Sequence, residues 1–438
     1  MIVKTRVYHL ITSKRLQRLG REAMWITVGQ VASVIGSLVG VRVLTELLDP
    51  SAYGELALGM TLATMVNQII LGPLGSGVTR FYAPSEEKSD LGSYLSAVRH
   101  LVSQATGIII LLMLTASAGL LIAGHVQWAT ITAAALVFGI LDGYNSILNG
   151  IQTAARQRSV VAPHSGMVPW VRFLVATSLI LWLSATSAIV LVGYSIATIL
   201  VLGSQIVFFR KTISINADVA KTDKIWRKEI WKYSWPMTVF GIFTWMQLTS
   251  DRWALELFST TQELGWYAVL FQLGYYPISL ATATLTQFLA PIFYQRAGDA
   301  SDARRNAGVT NLSWRLTGFV LGLTAVGFLI ALLFHTQIFS LVVADAYAPV
   351  SGLLPWMILA GGVFAAGQTI SLNLMSQMKT LTLMTAKITT ALMGVTLNFV
   401  GAYLYGITGV VMATVLFSIS YFLWMAIVQK HESVESPL

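Results

Sequence analysis

Seven charged residues lie inside or at the ends of long apolar stretches of this chain: Arg42, Arg80, Arg172, Arg252 and Lys387, together with Asp142 and Asp251. A charge in such a stretch is costly and is retained where it faces a protein interior or a watery cavity. A guanidinium fork donates two hydrogen bonds at once and so suits phosphate. The five basic residues are therefore candidates for a cationic lumen that holds an anionic ligand. Snorkelling to lipid headgroups is the competing reading for Arg42, Arg80 and Arg252, which stand within a turn or two of a stretch's end. The i,i+4 spacing also allows Arg42 to pair with Glu46 and Arg252 with Glu256.

Asp142 is the deepest of the acids. With Asn145, Asn149 and Gln152 it follows a spacing of 3, 4 and 3, which places all four on one helical face. That strip can be a proton- or cation-responsive site, a polar lining for hydroxyl groups, or an anchor for hydrogen bonds between helices. Thr244, Gln247 and Asp251 form a second stripe at spacings of 3 and 4, and Gln30, Ser33 and Ser37 a third. Asp251 is also a candidate partner for Arg42. Among the aromatic residues, Trp245, Tyr275 and Tyr276 are candidates for stacking on sugar faces.

The elements that position these residues follow from composition. Of 438 residues, 55% are hydrophobic and 11% are charged, with no cysteine, and the mean hydropathy is +0.69. Soluble domains carry roughly a quarter charged residues, so an ordinary soluble fold is excluded, as are disulfides and cysteine-ligated metal sites. A helix needs about 20 apolar residues to cross a bilayer. Such runs occur near 24–44, 55–79, 101–123, 128–149, 166–184 and 187–209, and again near 233–255, 266–292, 316–335, 352–376, 382–404 and 407–428. The runs lack the period-2 alternation of a transmembrane barrel. The chain is predicted to be an all-α polytopic membrane protein with about 12 transmembrane helices.

Charge placement tests that count. Of the 28 basic residues, 23 fall on one side of the map, in the amino-terminal tail, alternate loops, the central stretch and the carboxyl terminus. The opposite loops, near 45–54, 124–127, 185–186, 256–265, 336–351 and 405–406, contain none. Basic loops stay in the cytoplasm, so both termini are expected there, in a cytoplasmic (inner) membrane. The net charge of +9 is then topological and requires no nucleic acid. The expected division is a cytoplasmic amphipathic segment 1–22 lying on the inner membrane surface, an N-lobe 23–210, a basic linker 211–232, a C-lobe 233–430 and a tail 431–438.

The two halves repeat. Arg42-Val43-Leu44-Thr45-Glu46-Leu47 recurs as Arg252-Trp253-Ala254-Leu255-Glu256-Leu257, at an offset of 210 that also carries Trp25 onto Trp235. Gly54 maps to Gly265, Phe81-Tyr82 to Phe293-Tyr294 and Gln152 to Gln377, the offset drifting as loops lengthen. An even number of spans per half makes the repeat parallel, with two pseudo-symmetric six-helix lobes around a central cavity.

At this point the residues resemble a known family. The turn Leu47-Leu48-Asp49-Pro50-Ser51-Ala52-Tyr53-Gly54, the start of span seven at Tyr233-Ser234-Trp235-Pro236, Asp251-Arg252 at its end and Gly265-Trp266-Tyr267-Ala268 after it are similar to those of Wzx-type O-antigen and exopolysaccharide flippases. These belong to the multidrug/oligosaccharidyl-lipid/polysaccharide (MOP) superfamily. The resemblance implies translocation of an undecaprenyl-pyrophosphate-linked oligosaccharide across the cytoplasmic membrane, by alternating access coupled to H+ or Na+ and without a cofactor. It also implies membrane lipids as partners, with a polysaccharide polymerase and chain-length machinery beyond them. Lipid II flippases of the superfamily typically have two more spans. Multidrug extruders usually carry an acid in the first span, and 25–41 has none.

Other classes fit less well. Export of cationic drugs calls for a carboxylate-rich lumen, whereas five of the seven intramembrane charges are basic. A membrane-embedded glycan polymerase or ligase needs an external loop large enough for a site. The longest here, 336–351, has one carboxylate, Asp345, and no basic residue. No glycine loop followed by Lys-Ser/Thr is present for a nucleotide. A transporter, not an enzyme, is expected.

Overall fold

The computed structural model describes residues 2–212, 223–298 and 302–434. Part of the expected linker, at 213–222, and the end of the tail, at 435–438, lie outside the described residues. Among the described residues there is no strand. In hydrocarbon an unpaired backbone N–H or C=O costs several kcal/mol, so an apolar run closes its hydrogen bonds locally, as helix.

The helices are α1 (Ile2–Leu47), α2 (Pro50–Met65), α3 (Gly72–Glu87), α4 (Leu91–Ile122), α5 (Val126–Ala154), α6 (Arg158–Trp182) and α7 (Ser187–Thr212). They continue as α8 (Asp223–Phe258), α9 (Thr261–Leu270), α10 (Tyr276–Ala297), α11 (Ala303–Val342), α12 (Leu354–Ser376) and α13 (Thr380–Val434). The basic amino-terminal segment is helical and continuous with the first span.

Ten helices among the described residues are long and apolar enough to cross a membrane. Two features separate that number from the expected twelve. The last two spans share α13, which breaks at Tyr405 and Gly406, the latter at φ 54° and ψ −135°, a conformation that favours a residue without Cβ. The seventh span lies in α8, which is 36 residues long but holds too many polar and aromatic residues to count as apolar.

A π-helical turn interrupts the second span of each half, at Val66–Leu71 between α2 and α3 and at Phe271–Tyr275 between α9 and α10. Pro73 and Pro277 stand at the start of the helix that follows each turn. Proline brings no N–H for the carbonyl four residues earlier, and a π-turn accommodates the loss.

The chain forms two compact units. One comprises the chain up to Leu47 with Gly59–Ile242, the other Leu48–Leu58 with Phe243–Leu438. In the first, the start of α8 is docked by Trp226, which is buried, donates its indole N–H to Asp90 Oδ2 at 2.8 Å and meets the ring of Tyr94 edge to face. Gly77 and Gly241 permit the approach: a Cβ would stand 2.3 Å from Ser234 Oγ at the first and 2.0 Å from the Gln68 carbonyl oxygen at the second.

In the second unit the first turns of α2 and α9 cross at the two glycines that the repeat relates. A Cβ on Gly54 would stand 2.1 Å from the Thr261 carbonyl oxygen, and one on Gly265 would stand 1.8 Å from that of Pro50. Tyr53 Oη donates to Gln272 Oε1 at 2.6 Å, and Tyr347 Oη donates to the Leu48 carbonyl at 3.0 Å. The family-like turn is therefore a helix-crossing device. Thr260 caps α9 by accepting from the Glu263 N–H at 3.1 Å, and Glu263 Oε2 accepts from the Ile407 N–H at 3.1 Å, holding the α13 break against α9.

Candidate functional site

In the first unit the site is an ion pair supported by an amide. Asp142 on α5 receives a charge-assisted hydrogen bond at Oδ1 from Nη2 of Arg172 on α6. The Asn67 amide, in the π-turn, reaches Asp142 Oδ2 at 3.5 Å and the carbonyl oxygens of Ala63 at 3.2 Å and Gly139 at 3.4 Å. Arg172 also approaches Thr198 Oγ1 at 3.5 Å, and its guanidinium carbon lies 4.7 Å from the centre of the Phe138 ring. The local reason is small residues on α5: a Cβ on Gly139 would stand 3.0 Å from Ala63 Cα, and one on Gly143 2.2 Å from the Leu71 side chain. These glycines let α5 approach the second span closely enough for Asn67 to bridge. The pair is partly exposed, at 20% for Arg172 and 35% for Asp142, so its Coulomb energy is screened. Its main effect is to neutralise Asp142.

The polar face of α5 does not act as one strip. Gln205 on α7 donates to Asn149 Oδ1 at 2.5 Å and to Gln152 Oε1 at 2.6 Å, and Gln152 and Gln205 are fully buried. Asn145 is buried as well. Asn149 and Gln152 are thus engaged by Gln205 between helices, Asn145 is buried with its Oδ1 unpartnered among the described residues, and Asp142 and Asn149 stay partly exposed. Gln205 was legible as a lone amide in an apolar run, but its partner helix was not.

Arg42 pairs with Glu46 at 2.5 Å, as its spacing predicts. Arg80 is exposed, and Gln30 is half-buried; neither has a side-chain partner among the described residues.

In the second unit Asp251 is buried and fully engaged. Tyr267 Oη donates to its Oδ2 at 2.6 Å, the Arg252 backbone N–H donates to Oδ1 at 2.8 Å, and Arg252 Nη1 reaches Oδ1 at 3.2 Å. Arg252 Nη1 donates to the Leu248 carbonyl at 2.9 Å, and the guanidinium stands 4.6 Å from the Phe271 ring centre. The expected Arg252–Glu256 pair does not form. Adjacent Asp251 and the Phe271 face hold the guanidinium, while Glu256 accepts from Thr261 Oγ1 at 3.2 Å. Burial pushes the Glu256 carboxyl above its ordinary value; the Thr261 hydrogen bond opposes this and Glu55 adds to it.

Lys387, on α13, is half-buried and its ammonium has no partner among the described residues, as is the case for the half-buried Gln247 amide on α8. Tyr275 is not available to a ligand. It is buried and stacked on Phe271 with ring centres 5.0 Å apart. Tyr276 is 44% exposed, and Trp245 is half-buried. Among the described residues no group of three or more His, Asp or Glu is placed to hold a metal ion.

The charges sort in a way that spacing does not reveal. Each deep carboxylate is neutralised by an arginine, Asp142 by Arg172 and Asp251 by Arg252. Arg80 and Lys387 keep charges with no carboxylate beside them among the described residues.

A family model described as polysaccharide biosynthesis protein matches residues 19–296. No curated protein matches the chain. Among solved structures, the fold is similar to that of an inward-facing multidrug resistance MATE family transporter of the MOP superfamily, with a TM-score of 0.65, 13% identity and coverage of 94% of this chain and 99% of that one. It is similar to a mutant form of the Vibrio cholerae MATE transporter VcmN, with a TM-score of 0.61, 16% identity and coverage of 97% of this chain and 98% of that one. The lipid II flippase MurJ in an inward closed conformation gives a TM-score of 0.65 at 13% identity, covering 93% of this chain and 87% of that one.

Proposed function

This chain belongs to the polysaccharide biosynthesis protein family and is a multi-pass membrane protein with the fold of MOP transporters; from that premise we propose that it flips an undecaprenyl-pyrophosphate-linked oligosaccharide across the cytoplasmic membrane. The observation that carries this reading is the sign of the charge left over within the spans. Asp142 and Asp251 are held by arginines, so Arg80 and Lys387 favour an anion over a cationic drug. A pyrophosphate presents several acceptor oxygens to such groups. The half-buried amides Gln30 and Gln247 each suit a sugar hydroxyl. The cation gradient acts through Asp142, whose partly exposed carboxylate can exchange its arginine for a proton or sodium ion.

The test is a deletion strain. Lipid-linked oligosaccharide should accumulate on the cytoplasmic leaflet, as read by mass spectrometry, and purified protein in proteoliposomes should translocate it under an imposed pH or sodium gradient. Absence of accumulation together with efflux of cationic dyes overturns the proposal. Lys387→Ala is expected to lower translocation on the order of tenfold or more, the scale of one charge-assisted hydrogen bond, with unchanged protein abundance, while Lys387→Arg keeps most of it.

The basic side of the map is proposed as cytoplasmic, with both termini there. Because the chain has no cysteine, Leu341→Cys, at a position 78% exposed, should label from outside with an impermeant thiol reagent. Lys211→Cys, or a cysteine within 215–225, should label only after permeabilisation. External labelling of Lys211→Cys overturns the orientation.

A further inference from the structure

A cavity of about 380 Å³ opens in the second unit between α11 and α13, near the ends that carry basic residues. Trp314 lines it from α11, and Leu423, Ala426, Ile427, Gln429 and Lys430 line it from α13. The spacing of Leu423, Ile427 and Lys430 puts two apolar side chains and one ammonium along a single helical face. Leu423 and Ile427 are 51% and 68% exposed, as lipid-facing residues are. Gln429 is different. It is buried to 3% exposure, yet neither its amide nitrogen nor its amide oxygen has a partner among the described residues. A buried amide left without partners is unfavourable, so its retention in the wall of a cavity points to a ligand that satisfies it.

We infer that this cavity binds an anionic phospholipid, with the phosphate near Lys430 and the Gln429 amide and the start of an acyl chain along Leu423, Ile427 and Trp314. Basic pockets between transmembrane helices at the cytoplasmic side hold anionic headgroups, and tryptophan is enriched at headgroup depth. Arg315, exposed and next to Trp314 on α11, adds a second positive charge at the same end. On binding, the Gln429 side chain turns toward the cavity, where Nε2 donates to a phosphate oxygen and Oε1 accepts from a headgroup hydroxyl such as that of glycerol. The volume lies near the lower end of the range for small-molecule sites. It accommodates a headgroup and the first part of a chain, and is too small for a whole polyprenyl tail. The inference does not depend on which substrate is transported.

Native mass spectrometry of the purified full-length chain, titrated with phosphatidylglycerol and phosphatidylcholine of matched acyl chains, tests it. Phosphatidylglycerol should bind on the order of tenfold more tightly, the selectivity that one or two basic side chains supply at a membrane surface. Ile427→Trp, which fills the cavity, and Gln429→Leu, which removes the amide, should each erase that preference. Val400→Trp, at a position 49% exposed elsewhere on α13, should leave it intact. Equal affinity of the wild-type protein for the two lipids overturns the assignment, and that comparison needs no variant. Undiminished preference in both Ile427→Trp and Gln429→Leu overturns it as well. Tighter retention of a polyprenyl phosphate than of phosphatidylglycerol would give the cavity to a substrate chain and equally end the phospholipid reading.

Discussion

Arg172→Ala is expected to abolish gradient-driven transport and to lower the unfolding temperature in detergent, because it strands Asp142 without its cation inside a span. Removing one partner of a buried pair is far more damaging than replacing both, and partial exposure reduces the cost here without cancelling it. Asp142→Asn should be milder, since the amide keeps the size and can still bond Asn67. The double variant Asp142→Asn with Arg172→Ala should recover most of the stability lost in the arginine variant. A coupling energy of about 1–2 kcal/mol is expected, within the range of contacting pairs. Stability and transport then separate the roles. An Asp142→Asn protein that folds stably but has lost gradient dependence makes Asp142 the coupling carboxylate. An Asp142→Asn protein that transports at the wild-type rate with the same gradient dependence makes the pair structural and removes Asp142 from the mechanism.

Gly265→Ala and Gly54→Ala are expected to produce the second large effect. Each added Cβ would collide with a backbone carbonyl, at 1.8 Å from Pro50 O and 2.1 Å from Thr261 O, and backbone cannot yield as a flexible side-chain end can. Overpacking of this kind costs about 1–3 kcal/mol, and more as the added side chain grows, so Gly265→Leu should be poorly folded. The crossing would open at Tyr53 and Tyr347, whose hydrogen bonds to Gln272 and Leu48 depend on it. Gly322→Ala is the control: nothing lies within 4 Å of its Cβ, and alanine favours helix over glycine. That variant should be as stable as the wild-type protein or slightly more so. Thermal unfolding of the four purified variants checks the order, and equal stability of Gly265→Ala and Gly322→Ala would remove the crossing from the account.

The linear order of residues was enough for the class of protein. Apolar run length and the one-sided basic loops led to helical spans, and the ordered Arg-x-x-x-Glu-Leu and glycine repeats pointed to a duplicated architecture. These features are local along the chain: a bilayer demands about 20 apolar residues and internally closed hydrogen bonds wherever the chain crosses it. The Arg42–Glu46 pair was legible for the same reason, being one helical turn long. Even the π-turns had a sequence signal in Pro73 and Pro277, which periodicity alone does not register.

Tertiary structure decided the partners. Asp142 and Arg172 are 30 residues apart on different helices, and nothing in the spacing of either selects the other. The choice depends on how α5 is rotated and how near Gly139 and Gly143 let it come to the second span. The same holds for Gln205, which turned an apparent polar lining at Asn149 and Gln152 into helix packing. At Arg252 a nearer carboxylate and the Phe271 ring outcompeted the i,i+4 acid, Glu256. Charge within a span is therefore readable from sequence, whereas whether that charge is neutralised is set by close contacts between helices. Those contacts fall off within a few ångströms, and pattern along the chain does not record them.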